Sequence, residues 1–345
     1  MKILSIIIPT YNMEKYLEKC LNSVLTKKKI EYIEILIIND GSKDNSLSIA
    51  QKYEKQYPQT IKVINKENGN YGSCINRGLK EATGKYVKIL DADDTFCTKN
   101  LEELLEVLLN IDDVDLVITD YKTINTDGKE INRFIFANLP TNKILNIQDD
   151  YIFNSIKLNL SMHAVLYKLE YLKEINYTQT EGISYTDQEW IFIPIAKCNK
   201  LYYFNKTIYN YLLGREDQTM NESVYVKNIN QLCKVTLSLA IKYVELENKN
   251  CFQKKYLDFR LFNNLYYIYY IYIFKKYTHI NELINFDSTI KKIDINIYNI
   301  PTDFTINRYF KFVSYWRKKT GDKKPLLIKL NFLIAKIKSW MEYVL

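Results

Sequence analysis

Three carboxylates fall within four residues at Asp91-Ala92-Asp93-Asp94, directly after the apolar run Tyr86–Leu90. Carboxylates this close repel one another, and at the end of a buried strand they also lose water, so something positive must sit among them. Oxygen donors in this number suit a hard divalent cation. A cation held by one or two carboxylates keeps coordination positions for phosphate oxygens, which makes the segment suitable for a metal–diphosphate site. A run of solvated turn acids is the plainer alternative. Other phosphate-binding devices are missing from the sequence. Gly69, Gly72 and Gly78 lack the G-x-G-x-x-G spacing, and there is no Walker A motif, which argues against a dinucleotide dehydrogenase and a P-loop NTPase. Two His in 345 residues argue against a His-rich zinc site.

The elements that must position these acids are legible in the first 120 residues. Apolar β-branched runs at Ile3–Ile8, Ile33–Ile38, Ile61–Ile64, Tyr86–Leu90 and Val114–Ile118 read as strands buried on both faces. Between them lie helical patterns at Glu14–Leu25, Asp44–Tyr57, Gly72–Ala82 and Asn100–Leu109. This alternation predicts an α/β fold with a mostly parallel sheet and helices on both faces. Ligands bind at the carboxyl ends of such strands. Pro9-Thr10-Tyr11-Asn12, Asn39-Asp40-Gly41-Ser42, Asn68–Gly72 and Asp91–Asp94 therefore gather at one edge.

The middle of the chain is less regular. Tyr121–Asn125 and Lys129–Phe136 flank Thr126-Asp127-Gly128, a hairpin signal. Met162–Tyr167 and Leu201–Phe204 read as strands and Gln188–Lys197 as a helix. Tyr211–Thr219 is polar and Gly-hinged, suited either to a loop closing over a diphosphate with Arg215 as phosphate clamp, or to a linker. Beyond it the pattern is helical, at Val224–Glu247 and Phe252–Tyr277, and a boundary near Asn221 divides the chain into 1–220 and 221–345.

Composition places the chain among folded proteins: 47% hydrophobic and 26% charged residues exclude a disordered chain or a fibre. Thirty Tyr against nine Gly and six Pro favour long helices. The net charge is +8, and residues 301–345, with ten Lys and Arg against three acids, carry +7 of it. Within that tail Leu326, Leu330, Leu333, Ile337, Trp340 or Met341, and Val344 form the apolar stripe of a basic amphipathic helix. Such a helix either contacts an anionic membrane surface or docks on its own domain. Leu265–Phe274 is the best apolar run and is half the length of a membrane span. The N-terminal apolar run is too short for a signal peptide. Six cysteines without a C-x-x-C read as free thiols in a reducing compartment, hence a cytoplasmic protein, with peripheral contact at the inner membrane face through the tail.

Five segments together resemble one family. Ser5–Asn12 (SIIIPTYN), Ile38–Ser42 (INDGS), Asn76-Arg77-Gly78, Gly84–Val87 (GKYV) and Leu90–Asp94 (LDADD) are similar, in order and spacing, to family 2 glycosyltransferases of the GT-A fold. The match is firm over residues 3–120 and looser over 160–220. The resemblance implies an inverting, metal-dependent hexosyltransferase of bacterial surface polysaccharide assembly. It implies that Pro9, Thr10, Tyr11 and Asn12 frame the nucleotide, with Tyr11 against uracil. Asp40 then accepts from the uracil N3–H; an Asx-turn role beside Gly41 is the alternative. By the same resemblance Asp91 and Ala92 lie at the ribose or metal shell, Asp93 binds Mn2+ or Mg2+ with Asp91, and Asp94 caps the next helix or supports the site from behind. Asn76 and Arg77 lie on the third helix, where Arg77 neutralises phosphate or is a surface residue. The catalytic base matches Asp187 in Tyr185–Trp190 (YTDQEW), although Thr186 replaces the family's preceding Glu; Glu189 is the reserve, and helix capping is the alternative. His163 falls where sugars are contacted, or is a core residue.

The expectation is a UDP-sugar donor and a saccharide or lipid-linked saccharide acceptor, in the biosynthesis of capsule, lipooligosaccharide or teichoic acid. A sugar-phosphate nucleotidylyltransferase and a non-catalytic nucleotide-sugar-binding or scaffold protein are the competing readings. The basic tail lacks a nucleic-acid module, so no nucleic-acid partner is expected.

Overall fold

The computed structural model describes residues 1–215, 218, 222–276, 279–303, 305–306 and 310–318. Contacts divide the chain into two compact units, Met1–Gln218 with Asn250–Gln253, and Thr219–Lys249 with Lys254–Leu345.

The first unit opens with β1 (Leu4–Thr10), α1 (Leu17–Val24), β2 (Ile33–Asn39), α2 (Ser46–Gln56), β3 (Ile61–Asn65), α3 (Asn70–Glu81) and β4 (Tyr86–Ile89). There follow β5 (Thr95–Phe96), α4 (Thr98–Asn110), β6 (Leu116–Ile124), β7 (Glu130–Phe134) and β8 (Ile144–Asn146). The unit continues through α5 (Asp150–Ile156), β9 (Val165–Lys168), α6 (Leu169–Glu174), α7 (Asp187–Trp190), α8 (Ile193–Lys197) and β10 (Lys200–Leu212). One sheet takes all ten strands, in the order β3-β2-β1-β4-β9-β6-β10-β5, with β7 on β6 and β8 on β10. Strands β3, β2, β1 and β4 are parallel, as are β6 and β10. Strand β9 runs antiparallel to both β4 and β6. The sheet is therefore mostly parallel, as expected, with one reversed strand in its middle.

Local sequence explains the main features. Ile6, Ile7, Ile8, Ile35, Ile37 and Ile38 are fully buried, because helices cover both faces of these strands. Each such side chain contributes roughly 1.5–3 kcal/mol. Leu17, Leu21 and Val24 form the buried stripe of α1, and Leu101, Leu104, Leu105 and Leu108 that of α4. The Leu90 N–H donates to Ile7 C=O at 3.0 Å. The next bond of that ladder would come from residue 9, and Pro9 has no N–H to give. The β1–β4 ladder ends there, and residues 91–94 leave the sheet.

The structure departs from the sequence reading in three places. The expected strands at 114–118 and 121–125 are one strand, β6, since Thr119-Asp120 between them carries no breaker. The Asp127-Gly128 turn is as expected, with Gly128 at φ +80°. The expected helix 188–197 is two short pieces, α7 and α8, because Pro194 cannot donate within a helix and instead opens a new one. Leu201–Phe204 is the start of a 13-residue strand, β10, bulged between Phe204 and Tyr209.

The second unit is mainly helical: α9 (Glu222–Lys227), α10 (Ile229–Glu245), α11 (Cys251–Tyr270), α12 (Ile280–Ile293), α13 (Ile295–Asn299) and α14 (Phe312–Lys318). A short antiparallel pair, Thr305–Ile306 with Phe310–Lys311, precedes α14. Partly buried Arg317 pairs with Asp287 at 2.6 Å and lies 3.6 Å from the Tyr298 ring centroid. Among the described residues no helix is long and apolar enough to cross a membrane. The amphipathic segment expected at Leu326–Leu345 lies outside the described residues.

Gly78 on α3 packs against Ile7 of β1, and a Cβ there would come within 2.5 Å of the Ile7 side chain. Gly78→Ala is expected to cost about 1–3 kcal/mol of stability by overpacking. Urea denaturation would measure it, and an unchanged midpoint would contradict this packing.

Candidate active site at the carboxyl edge of the sheet

The acidic segment is built inward, not into solvent. Asp94 N–H donates to Asp91 C=O at 2.9 Å, closing a turn that aims the three side chains differently. Asp91 accepts from the Tyr71 hydroxyl at 2.9 Å. Asp94 is 1% exposed and accepts from the Tyr209 hydroxyl at 2.7 Å and from Leu212 N–H at 2.7 Å. It caps no helix: α4 begins at Thr98 and has no side-chain cap. Asp93 pairs with Arg215 at 2.8 Å, both side chains about one-tenth exposed. Ala92 between them is buried, where a larger side chain would crowd the turn.

Loss of water sets the electrostatics. Burial, then the Asp93 charge, pushes the Asp91 carboxyl up to about 7, with Asp187 adding to the rise. Burial, with Asp93 and Asp91, also raises Asp94. Burial raises Asp93, and Arg215 pulls it back.

The reversed strand β9 brings His163 to this edge. Because β9 runs against β4, its start, not its end, lies beside the acids. The imidazole stacks on Tyr211 with centroids 4.3 Å apart and meets Tyr209 edge-on at 4.7 Å. Its Nδ1 lies 3.1 Å from Ser161 Oγ. Burial, with the Lys88 charge beneath, pushes His163 down to about 3, so the ring is neutral and able to donate a nitrogen lone pair. Donor atoms of Asp91, Asp94 and His163 lie within 4.8 Å of one another. Two carboxylates with a neutral imidazole, and Asp93 beside them, fit a divalent cation. The sequence reading gave the cation to Asp93 and Asp91. The structure groups Asp91 instead with Asp94 and His163, and couples Asp93 to Arg215.

Asp187 reaches the edge on the segment 177–190, which is docked against α3. Asn76 Oδ1 accepts from Gln179 N–H at 2.8 Å, and its amide donates to Gln179 C=O at 2.9 Å and to Glu181 at 2.8 Å. Gly182 N–H donates to Gly69 C=O at 2.9 Å. A Cβ at Gly72 would lie 2.1 Å from Thr180 O, so only glycine allows this approach. Tyr185 holds φ +68°, a strained conformation for a bulky residue, immediately before Thr186-Asp187. The Asp187 charge raises Asp91, Tyr71 and Tyr211, so it lies near the same cluster. Glu189 is 1% exposed and takes Thr180 N–H at 2.6 Å and Thr180 Oγ1 at 2.9 Å. It braces the segment and does not present a free base.

The nucleotide-side residues form a second knot. Thr10 C=O accepts from Asp40 N–H at 2.9 Å. Asn12 takes Lys43 N–H at 2.8 Å and donates its own N–H to Ser42 Oγ at 3.0 Å. Asp40 is buried and accepts from Gly69 N–H at 3.0 Å and from Lys66. Tyr11 is 46% exposed, an open ring beside this knot. Pro9 ends the ladder. Arg77 lies on the surface of α3, paired with Glu81 at 2.9 Å, and Asn76 is occupied in holding 179–181; neither joins the acid cluster. Tyr71 and Gly72 lie in the strand-end run Asn68–Gly72 but were given no role there, and Tyr209 was not singled out by sequence reasoning. Tyr71 stands in the polar run after β3, but Tyr209 carries no signal that sets it apart from the other tyrosines.

The family description "Glycosyl transferase family 2" matches residues 5–175. Glycosyltransferase GlyA of Streptococcus pneumoniae is 28% identical over 228 residues, which are 66% of this chain and 30% of that longer protein. A crystal structure of S. aureus TarS, residues 1–349, in complex with UDP-GlcNAc superimposes with TM-score 0.69 at 20% identity, covering 95% of this chain and 91% of that one. The mannosyltransferase PcManGT of Pyrobaculum calidifontis, in complex with GDP-Man and Mn2+, superimposes with TM-score 0.51 at 11% identity, covering 98% and 87%. These likenesses establish the GT-A fold.

The raised Asp91 carboxyl has a consequence for stability. Between its ordinary value and about 7 the folded protein keeps a proton that the unfolded chain has released. Stability therefore falls as pH rises through that window. Without divalent cation, the thermal midpoint is expected to fall between about pH 4 and about pH 7, and Asp91→Asn to flatten the slope and raise the upper value. Thermal denaturation across this range checks it; an identical slope in the variant would refute the burial argument.

Proposed function

The chain belongs to glycosyl transferase family 2, and we propose that it moves a sugar from a UDP-sugar to a hydroxyl of a saccharide or lipid-linked saccharide, with inversion, in bacterial surface polysaccharide assembly. The observation that carries this is the convergence of Asp91, Asp93, Asp94, His163 and Asp187 at one sheet edge, next to the knot of Thr10, Asn12 and Asp40. The bound UDP-GlcNAc of TarS and the GDP-Man and Mn2+ of PcManGT support a nucleotide-sugar donor and a divalent ion.

In this reading residues 1–220 hold the donor and the catalytic groups, and 221–345 are a helical region. Tyr11 offers a ring face to the base, and Asp40 reads its N–H. Asp91 and Asp93, with Asp94 and His163 adjoining, hold the Mn2+ or Mg2+. A cation there supplies charge neutralisation for the departing diphosphate. Arg215 offers a guanidinium fork to phosphate oxygens. Asp187, held rigid by the docked segment, accepts the proton of the acceptor hydroxyl as it attacks. Gly72, Asn76 and Glu189 act through the position of Asp187. The basic tail would place a cytoplasmic protein against an anionic membrane face, where a lipid-linked acceptor resides.

Asp187→Asn is expected to slow transfer on the order of 100-fold or more while leaving UDP-sugar affinity within about twofold. UDP release from a panel of UDP-sugars, with isolated membranes as acceptor source, measures the first, and calorimetry the second. Wild-type turnover in the variant would remove Asp187 as base. Pyrophosphate in place of UDP would turn the reading to nucleotidyl transfer.

A further inference from the structure

Arg215 is held by contacts that a surface phosphate clamp would not need. Its guanidinium pairs with Asp93 at 2.8 Å, lies 5.2 Å from the Tyr16 ring centroid, and approaches the Met13 sulfur at 3.8 Å. The side chain thus spans from the end of β10 to the β1–α1 connection and rests on one of the acids expected to hold the cation. Asp93 and Arg215 are 8% and 12% exposed, so the pair is largely desolvated, and breaking it without replacement would leave a buried charge uncompensated. Asp94 fixes the approach from the other side, since it holds Leu212 N–H three residues before Arg215.

We propose that Arg215 is the resident counter-ion of Asp93, which a divalent cation must displace, and that a nucleoside diphosphate makes this displacement favourable by offering Arg215 its own oxygens. The inference rests on the nucleotide-sugar reading and adds to it an order of events. Cation alone competes with a guanidinium already in place. Diphosphate and cation together exchange one desolvated ion pair for two, because Arg215 passes to the diphosphate as the cation takes Asp93. Each ligand therefore raises the affinity of the other, and Arg215 is the coupling element. Asp93 is compensated throughout: the divalent cation arrives as the guanidinium leaves, and the diphosphate takes up the released guanidinium.

The test uses the full chain, Mn2+ and UDP. Mn2+ binding is followed by electron paramagnetic resonance of the free ion, with and without saturating UDP, in wild type, Arg215→Met and Lys15→Met. Lys15 is exposed beside Tyr16, so its loss removes the same charge from the same neighbourhood without touching Asp93. Arg215→Met is expected to bind Mn2+ alone about tenfold more tightly than wild type, and Lys15→Met to match wild type. The ratio of Mn2+ affinities with and without UDP is expected to fall toward one in Arg215→Met. Unchanged Mn2+ affinity in Arg215→Met, or an equal increase in Lys15→Met, overturns the proposal while leaving UDP and Mn2+ binding by wild type, and so the nucleotide-sugar reading, intact. Wild type that binds UDP at no Mn2+ concentration overturns both. Circular dichroism of each variant confirms the fold, and Arg215→Lys, which keeps the charge, is expected to restore weak Mn2+ binding.

Discussion

A carboxylate that has lost its water must be neutralised, hydrogen-bonded or protonated, and three of them in four residues cannot be satisfied independently. That constraint organises the edge of the first unit. Asp91 takes the Tyr71 hydroxyl, Asp94 takes the Tyr209 hydroxyl and Leu212 N–H, and Asp93 takes Arg215. Each partner comes from a different element: α3, β10, and the residues that follow β10. The acids therefore tie together parts of the chain more than a hundred residues apart. Pro9 makes room for them by ending the β1–β4 ladder one residue pair before the turn.

Two further devices bring distant chemistry to the same edge. Reversal of β9 turns the beginning of a strand, with His163 just ahead of it, toward the carboxyl ends of its neighbours. A glycine at position 72 lets the 177–190 segment lie directly on α3, Asn76 locks it there, and Glu189 braces the segment internally through Thr180. Asp187 is thus positioned by backbone contact, which is stiffer than a side-chain contact and suits a group that must meet a hydroxyl within hydrogen-bond reach.

The parallel half of the fold was legible because strands buried on both faces have nowhere to hide their apolar runs, and the acids at their ends stand out by contrast. The direction of β9 was not legible: its four residues, Val165–Lys168, read the same in either sense, and only pairing decides. The long helix expected from Gln188 failed because periodicity outweighed Pro194, whose missing N–H is a stronger local fact. Asp94 was expected to cap a helix or support the site from behind; its partners, Tyr209 and Leu212, lie far along the chain, and nothing near residue 94 announces them. Arg215 was expected at phosphate, and sequence could not show that it rests on Asp93. Asn76 and Arg77 match a family motif, yet in the structure one holds a loop and the other pairs along its own helix. A motif carries residue types, while the partner each side chain finds depends on the fold.

The choice of partners also makes chemical sense. Tyrosine hydroxyls satisfy Asp91 and Asp94 without adding a positive charge that would oppose an incoming cation. Lys88, the buried cation below, donates to the His163 and Val165 carbonyls at 2.9 and 3.2 Å and lies over the Phe96 and Tyr209 rings. Burial, with Lys88 adding to it, holds His163 neutral, and the hydrogen bonds of Lys88 are spent on backbone. Arg215 is the one cation paired with these acids among the described residues, and it sits two residues beyond Leu213, whose N–H donates to Ile124 C=O at 2.8 Å. A positive group fixed by short, rigid structure would close the site to metal permanently. One carried at the end of a long side chain can satisfy Asp93 until a better pair of partners arrives.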